Sequence, residues 1–160
     1  MDRLWAPWRL EYIQGPGNDC CIFCIDENPA DDQDRLIVAR GKYSFVIMNR
    51  YPYSNGHLMV SPCRHLSDPA ELENQEILEI HQLMVRSQSV LHTVCAAQGF
   101  NVGWNIGRAA GAGIPDHIHM HIVPRWAGDS NFMPILADTR VIPQHIAKTY
   151  SLLAEAFIKI

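Results

Sequence analysis

The sequence predicts an α+β fold: an antiparallel five-stranded sheet with one long helix and a C-terminal helix. Three observations predict it. Short apolar runs bounded by turn residues fill 36–61, one stretch of helical periodicity fills 77–94, and two further strand-like runs follow it. Strands grouped before and after one long helix point to an antiparallel sheet covered by that helix.

The elements follow in order. The segment Cys20–Asp34 is acidic and turn-rich, and reads as a loop or short helix holding a Cys pair. Leu36–Ala39, Tyr43–Met48 and His57–Ser61 read as strands. Between the last two, NRYPYSNG carries a Pro and an Asn-Gly, as a connecting loop should. The long helix takes Ser67 or Asp68 as its cap and Pro69 in its first turn, with Glu71 and Glu73 near the positive end of its dipole. Ile77, Ile80, Leu83, Met84, Val90, Leu91 and Val94 supply its apolar face, and Gly99 stops it. Phe100–Ile106 reads as a fourth strand, Gly107–Gly113 as a glycine-rich loop, His117–Val123 as a fifth strand, and Pro143–Ile160 as a terminal helix.

A chain of 160 residues is the size of one domain and buries enough surface to fold without staples. Thirteen basic against 17 acidic residues give a net charge of −4, which argues against a nucleic-acid partner. No apolar run is long enough for a membrane span, and MDRLWAPWRL lacks the layout of a signal peptide. The expected location is the cytoplasm. Five cysteines at scattered spacing do not read as a disulfide framework.

The chemistry concentrates in Asp116-His-Ile-His-Met-His-Ile-Val-Pro124. Alternation on a strand sends His117, His119 and His121 one way, and Ile118, Met120 and Ile122 the other, into a core. Three imidazoles on one face are not a packing solution. They suit either a catalytic metal or a nucleophile flanked by phosphate-positioning groups. Three consecutive same-face ligands fit a tetrahedral ion poorly, because the outer pair sits too far apart. A nucleophilic middle His, with a neighbour donating to phosphoryl oxygens, fits better. The preceding loop adds Gly107, Gly111 and Gly113, whose backbone amides can approach an anion closely. Arg108 and Arg125 are candidate charges beside it.

HIHMHIV resembles the signature of the histidine-triad (HIT) family, and NRYPYSNGHLMV is similar to the family's stretch ahead of it. LWAPWRLEYI, GRAAGAG, PRWAGDSNFMP and DTRVIPQHIAKTY resemble a bacterial branch of diadenosine tetraphosphate (Ap4A) phosphorylase or ATP adenylyltransferase-like proteins. The resemblance implies one HIT domain over 1–160, with an aromatic N-terminal extension (1–20) and a C-terminal extension (127–160). It also implies an antiparallel sheet and a homodimer that joins two sheets. Its substrate would be an adenine dinucleotide cleaved at the α-phosphate, with phosphate or water as acceptor and no catalytic metal required. Residue by residue, His119 corresponds to the nucleophile, His117 orients it through its backbone carbonyl, and His121 binds the α-phosphate. Asn49 matches the ribose contact, Phe45 and Met48 the base pocket, His57 a fourth family histidine, and Asn105 a residue near the leaving phosphates. At Gly113 and Ile114 many members carry Gln or Ser and then Ser or Thr; here backbone amides, with that of Gly111, would take their place. That departure keeps an alternative in view, a purine-nucleotide-binding sensor or partner module with incidental turnover.

Cys21 and Cys24 form a C-x2-C pair, which in a reduced compartment reads as a metal or redox site. Two cysteines cannot complete a tetrahedral zinc site. The family resemblance supplies His65 and His117 as the other ligands, giving a structural zinc beside the triad. Trp5 and Trp8 suggest packing or a subunit contact, Trp126 follows the triad strand, and Asn131 and Phe132 lie in a branch-specific stretch.

Overall fold

A computed structural model of the chain describes residues 21–26, 28–129 and 144–160. Trp5, Trp8, Cys20, Asn131 and Phe132 lie outside the described residues. The elements are α1 (Asp32–Arg35), β1 (Ile37–Arg40), β2 (Ser44–Met48), β3 (Leu58–Pro62), α2 (Asn74–Cys95), β4 (Gly99–Trp104), β5 (Met120–Arg125) and α3 (Ile146–Lys159). The strands form one sheet in the order β1-β2-β3-β5-β4, with every neighbouring pair antiparallel.

β2 and β3 are buried along their whole length because both faces are covered. On one face Val46, Met48, Leu58, Val60 and Ile122 pack against Ile80, Leu83, Val90 and Leu91 of α2 and Leu153 and Phe157 of α3. On the other face Phe45, Ile47 and Met59 pack with Ile37 and Phe23. The β2–β3 connection turns at Gly56, whose φ is +77°. A Cβ there would lie 2.9 Å from Leu91 Cδ2, so the turn needs a glycine both for its backbone and for its closeness to α2.

The structure corrects three expected boundaries. Asp68 caps a separate 3₁₀ turn, Pro69–Glu71, and Leu72 is extended; α2 starts at Asn74 behind Glu73. The reason is a buried carboxylate. Glu76 is 3% exposed, accepts 2.6 and 2.8 Å bonds from Arg64, and closes a capping box on the Glu73 amide. The helix ends at Cys95 with Ala96 in the left-handed region, while Gly99 opens β4. Ile77 is 50% exposed, since the buried stripe runs through Glu76, Ile80, Leu83, Ser87, Val90 and Leu91.

The third correction positions the site. β5 begins at Met120, not His117. Continuing the β3 register would pair Ile118 with Pro62, which has no N–H to give a ladder. The 117–119 segment is instead held by other groups. The Ile118 amide donates to Leu66 O at 2.8 Å, and the Ser61 hydroxyl donates to Ile118 O at 3.0 Å. Among the described residues, no helix is long and apolar enough to cross a membrane.

Candidate active site and metal cluster

His121 faces away from the helices, opposite Met59 on one side and Gly103 on the other. His119 stands beside it, ring centroids 4.9 Å apart at 71°. The backbone leaves the ladder at this point, so each of the three imidazoles meets a different partner.

The partners fix the protons. His117 is fully buried, with Nε2 3.0 Å from Pro62 O. A carbonyl only accepts, so Nε2 carries the proton and Nδ1 keeps its lone pair. His119 is the reverse: Nδ1 lies 2.8 Å from His117 O and holds the proton, leaving the Nε2 lone pair unengaged by any described residue. At His57 the Tyr53 amide donates to Nδ1 (3.2 Å), so Nε2 is the protonated nitrogen and donates to His121 Nδ1 at 3.0 Å. With His57 donating to Nδ1, His121 holds its proton on Nε2; the Asn105 Nδ2 group 3.4 Å away is itself a donor and does not accept that proton. The site presents one unprotonated nitrogen, on His119, next to one N–H donor, on His121.

Burial keeps these rings neutral. His57 is pushed down to about 3, first by desolvation and then by the His121 and His119 imidazoles. His121 is pushed down to about 4 by desolvation and by His119. His117 and His119 are also lowered, with burial the largest cause and their bonds to Pro62 and His117 carbonyls opposing it.

Other expected residues are distributed unevenly. Phe45 is fully buried on the histidine face, and Ile114 packs against the same cluster. Met48 is not brought there. It lies in the helix-side core, because residues three apart on a strand point to opposite faces. Asn49 is bound at both ends of its loop: its amide donates to His57 O and its side chain accepts from the Tyr51 amide, each at 2.9 Å. The amides of Ala110, Gly111 and Ala112 turn inward to the Gly107 and Arg108 carbonyls, so Gly111 does not offer its amide outward. Gly113 is exposed. Arg125 is paired with Asp129 and also donates to Asn101. Trp126 packs on the helix-side core and donates to Cys95 O.

Two site residues are absent from the sequence reading. Phe23, between the paired cysteines and 1% exposed, stacks on His119 with centroids 4.5 Å apart. Tyr53 lies tilted against His57 at 4.7 Å and stacks on His121 at 5.9 Å. The one available signal was an aromatic residue inside each motif.

Cys21, Cys24, His65 and His117 form a cluster whose ligand atoms all lie within 4.8 Å of one another. Cys21 Sγ is 3.4 Å and Cys24 Sγ 3.9 Å from His117 Nδ1, and Cys24 Sγ is 3.3 Å from His65 Nδ1. Metal bonds of about 2.0–2.3 Å in a tetrahedron imply ligand separations of roughly 3.3–3.8 Å; the sulfur–imidazole distances here lie close to that range while the cluster as a whole spans up to 4.8 Å, so these four could hold a metal ion. The donor set is two sulfurs and two imidazoles, and His117 turns its unprotonated nitrogen to them. The Cys24 amide closes the turn on Cys21 O, and Arg35 donates to the Ile22 and Cys24 carbonyls at 2.8 and 2.7 Å. With His117 turned to the cysteines, the three triad rings do not converge on a common ion.

Residues 30–128 match the HIT domain family. The chain is similar to the AP-4-A phosphorylase of Mycobacterium tuberculosis, 38% identical over 96% of this chain and 83% of that protein. It is 32% identical to the asymmetrical bis(5'-nucleosyl)-tetraphosphatase of Schizosaccharomyces pombe, over 56% of this chain and 49% of that one. Among solved structures, a Zn-bound histidine triad family protein from Mycobacterium smegmatis superposes with a TM-score of 0.67 at 24% identity, covering 89% of this chain and 96% of that one. At that identity the likeness is one of fold.

Proposed function

We propose, on the premise that this chain belongs to the HIT domain family, that it cleaves the α-phosphate anhydride of a dinucleoside polyphosphate of the Ap4A type through a covalent AMP–histidine intermediate. The chain is a HIT-family enzyme, and a relative that matches it over 96% of its length is an AP-4-A phosphorylase. One observation carries the mechanism. The His117 carbonyl holds the Nδ1 proton of His119, which leaves Nε2 of that buried, neutral ring as the attacking lone pair.

His119 Nε2 forms a bond to the α-phosphorus, and the bond to the leaving polyphosphate oxygen breaks, its electron pair departing with that oxygen. The Nδ1 proton stays on the ring, donated in a hydrogen bond to the His117 carbonyl, which stabilises the imidazolium-like product. His121 Nε2–H donates to phosphoryl oxygens where charge develops, and Asn105 stands beside it. Phosphate or water then attacks the phosphorus, the P–N bond breaks with its electron pair returning to Nε2, the acceptor's proton passes to solvent, and His119 leaves as a neutral imidazole. His57 is a positioning residue that keeps the His121 proton on Nε2. Phe45 and Asn49 are assigned to the bound nucleoside, and Gly113 and Ile114 to the phosphates.

Cys21, Cys24, His65 and His117 would hold a structural zinc. The ion would tie the N-terminal turn to the sheet and brace His117. A reduced, cytoplasmic location suits such thiols. Residues 1–160 make one HIT domain, and α3 belongs to its core through Leu153 and Phe157. A homodimer paired along the β4 edge, where Val102 is 41% exposed, completes the reading.

Incubation with Ap4A, with and without inorganic phosphate, tests it. ADP plus ATP appearing only with phosphate establishes phosphorolysis. AMP plus ATP without phosphate establishes hydrolysis at the same anhydride. No turnover in either case contradicts the reading.

A further inference from the structure

The sheet face that carries His121 continues past it as an open groove of about 460 Å³, lined by β4 from Asn101 to Trp104 together with Tyr53, Asn105, His121, Val123 and Arg125. The register explains its composition. Asn101 pairs with Val123 and Gly103 with His121, so these residues share one face while Phe100, Trp104 and Ile122 turn to the helix-side core. The histidines therefore stand on a boundary. On their β1–β3 side the face is apolar, built from Phe23, Ile37, Phe45, Ile47 and Met59. On their β4–β5 side it is polar and open.

Gly103 forms the floor. A Cβ there would meet nothing within 4 Å, so the strand itself does not require a glycine; the missing side chain is what leaves the groove open beside His121. At the far end Arg125 is bound in three directions: Asp129 accepts from Nε and Nη2 at 2.5 and 2.8 Å, and Asn101 Oδ1 accepts from Nη1 at 2.7 Å. Its charge is thus matched by a carboxylate and its plane is fixed. A guanidinium held this way is poorly suited to a bare phosphate and well suited to stack on a planar base. Tyr53, stacked on His121, adds an aromatic surface at the near end.

We infer that this groove is the subsite for the second nucleoside of a dinucleoside polyphosphate, with its base against Arg125 and its phosphate chain crossing Gly103. The inference rests on the dinucleoside polyphosphate reading above. It adds a reason for preferring two nucleosides to one. Once the first nucleotide is bound on the apolar side with its α-phosphate at His119, the leaving half is directed into the groove.

The test compares two probes in the full-length protein by calorimetry. One is a non-hydrolysable, methylene-bridged Ap4A analogue. The other is the matching adenosine tetraphosphate analogue, which has the same phosphates and no second nucleoside. The wild type should bind the first roughly tenfold more tightly, the worth of one stacked base. Gly103→Leu, which fills the groove, and Arg125→Ala, which removes the platform, should each bring the ratio to about one. Equal affinities in the wild type, or a ratio unchanged in both variants, overturns the subsite while leaving the proposed function standing. A wild type that binds neither probe overturns both.

Discussion

The ring of Phe23 lies against the ring of His119, centroids 4.5 Å apart and planes inclined by 25°. Phe23 is carried on the turn that Cys21 and Cys24 close, and His117 joins that cluster through Nδ1 while holding His119 through its carbonyl. The Cys/His cluster thus reaches His119 by two routes, one aromatic and one through the backbone.

The first prediction concerns that stack. Phe23→Ala removes a buried aromatic ring and should cost about 3–5 kcal/mol in urea unfolding. Phe23→Leu keeps most of the volume but not the stacking plane, and should lower kcat more than it raises KM. A Phe23→Ala variant as stable as the wild type would contradict the packing described.

The second concerns the metal. The purified protein should carry about one zinc per chain by elemental analysis. Cys24→Ser should lose most of it, and chelation should lower Tm. A chain that takes up no zinc from solution, with Tm unmoved by chelator, would remove the cluster from the account.

The third is a pH dependence of stability. His57 is held neutral, pushed down to about 3, and the unfolded chain's histidine titrates near 6.5. Between those values the unfolded state binds more protons, so stability rises with pH and is complete above about 6.5. At pH 5.5 His57 alone should lower the unfolding free energy by about 1.4 kcal/mol relative to pH 7.5, and His121 adds to the fall in the same sense. Urea unfolding at the two pH values measures it. A flat profile would mean that the pair is not buried as a neutral His–His couple.

Much of the fold was legible because its signals are local. Alternation over 117–122 separates the histidines from Ile118 and Ile122, and helical spacing over 80–91 marks the buried stripe of α2. Boundaries moved where distant partners intervene. Asp68-Pro69 is a strong start signal, yet Arg64 and the Glu73 amide fix Glu76 and set the helix start later. Likewise His117–Val123 reads as one strand, and the missing N–H of Pro62 on another strand cuts it at Met120. Within the site, Met48 and Phe45 cannot share a strand face at a spacing of three, a parity that was readable from the sequence. The roles of Phe23, Tyr53 and Ser61 were not, since each acts on a residue more than 50 positions away or across a loop. The inward turn of the Gly107–Gly113 amides likewise depends on loop conformation, which glycine content leaves open.

The most direct test of the central claim is a search for the covalent intermediate. Wild-type protein and His119→Ala are each mixed with Ap4A, quenched in alkali, and analysed by intact mass and peptide mapping. The account predicts an adenylyl group on the peptide carrying His119 in the wild type. It predicts none in His119→Ala, which should bind the nucleotide but show no turnover. Cleavage of Ap4A by His119→Ala at a rate near that of the wild type would contradict it.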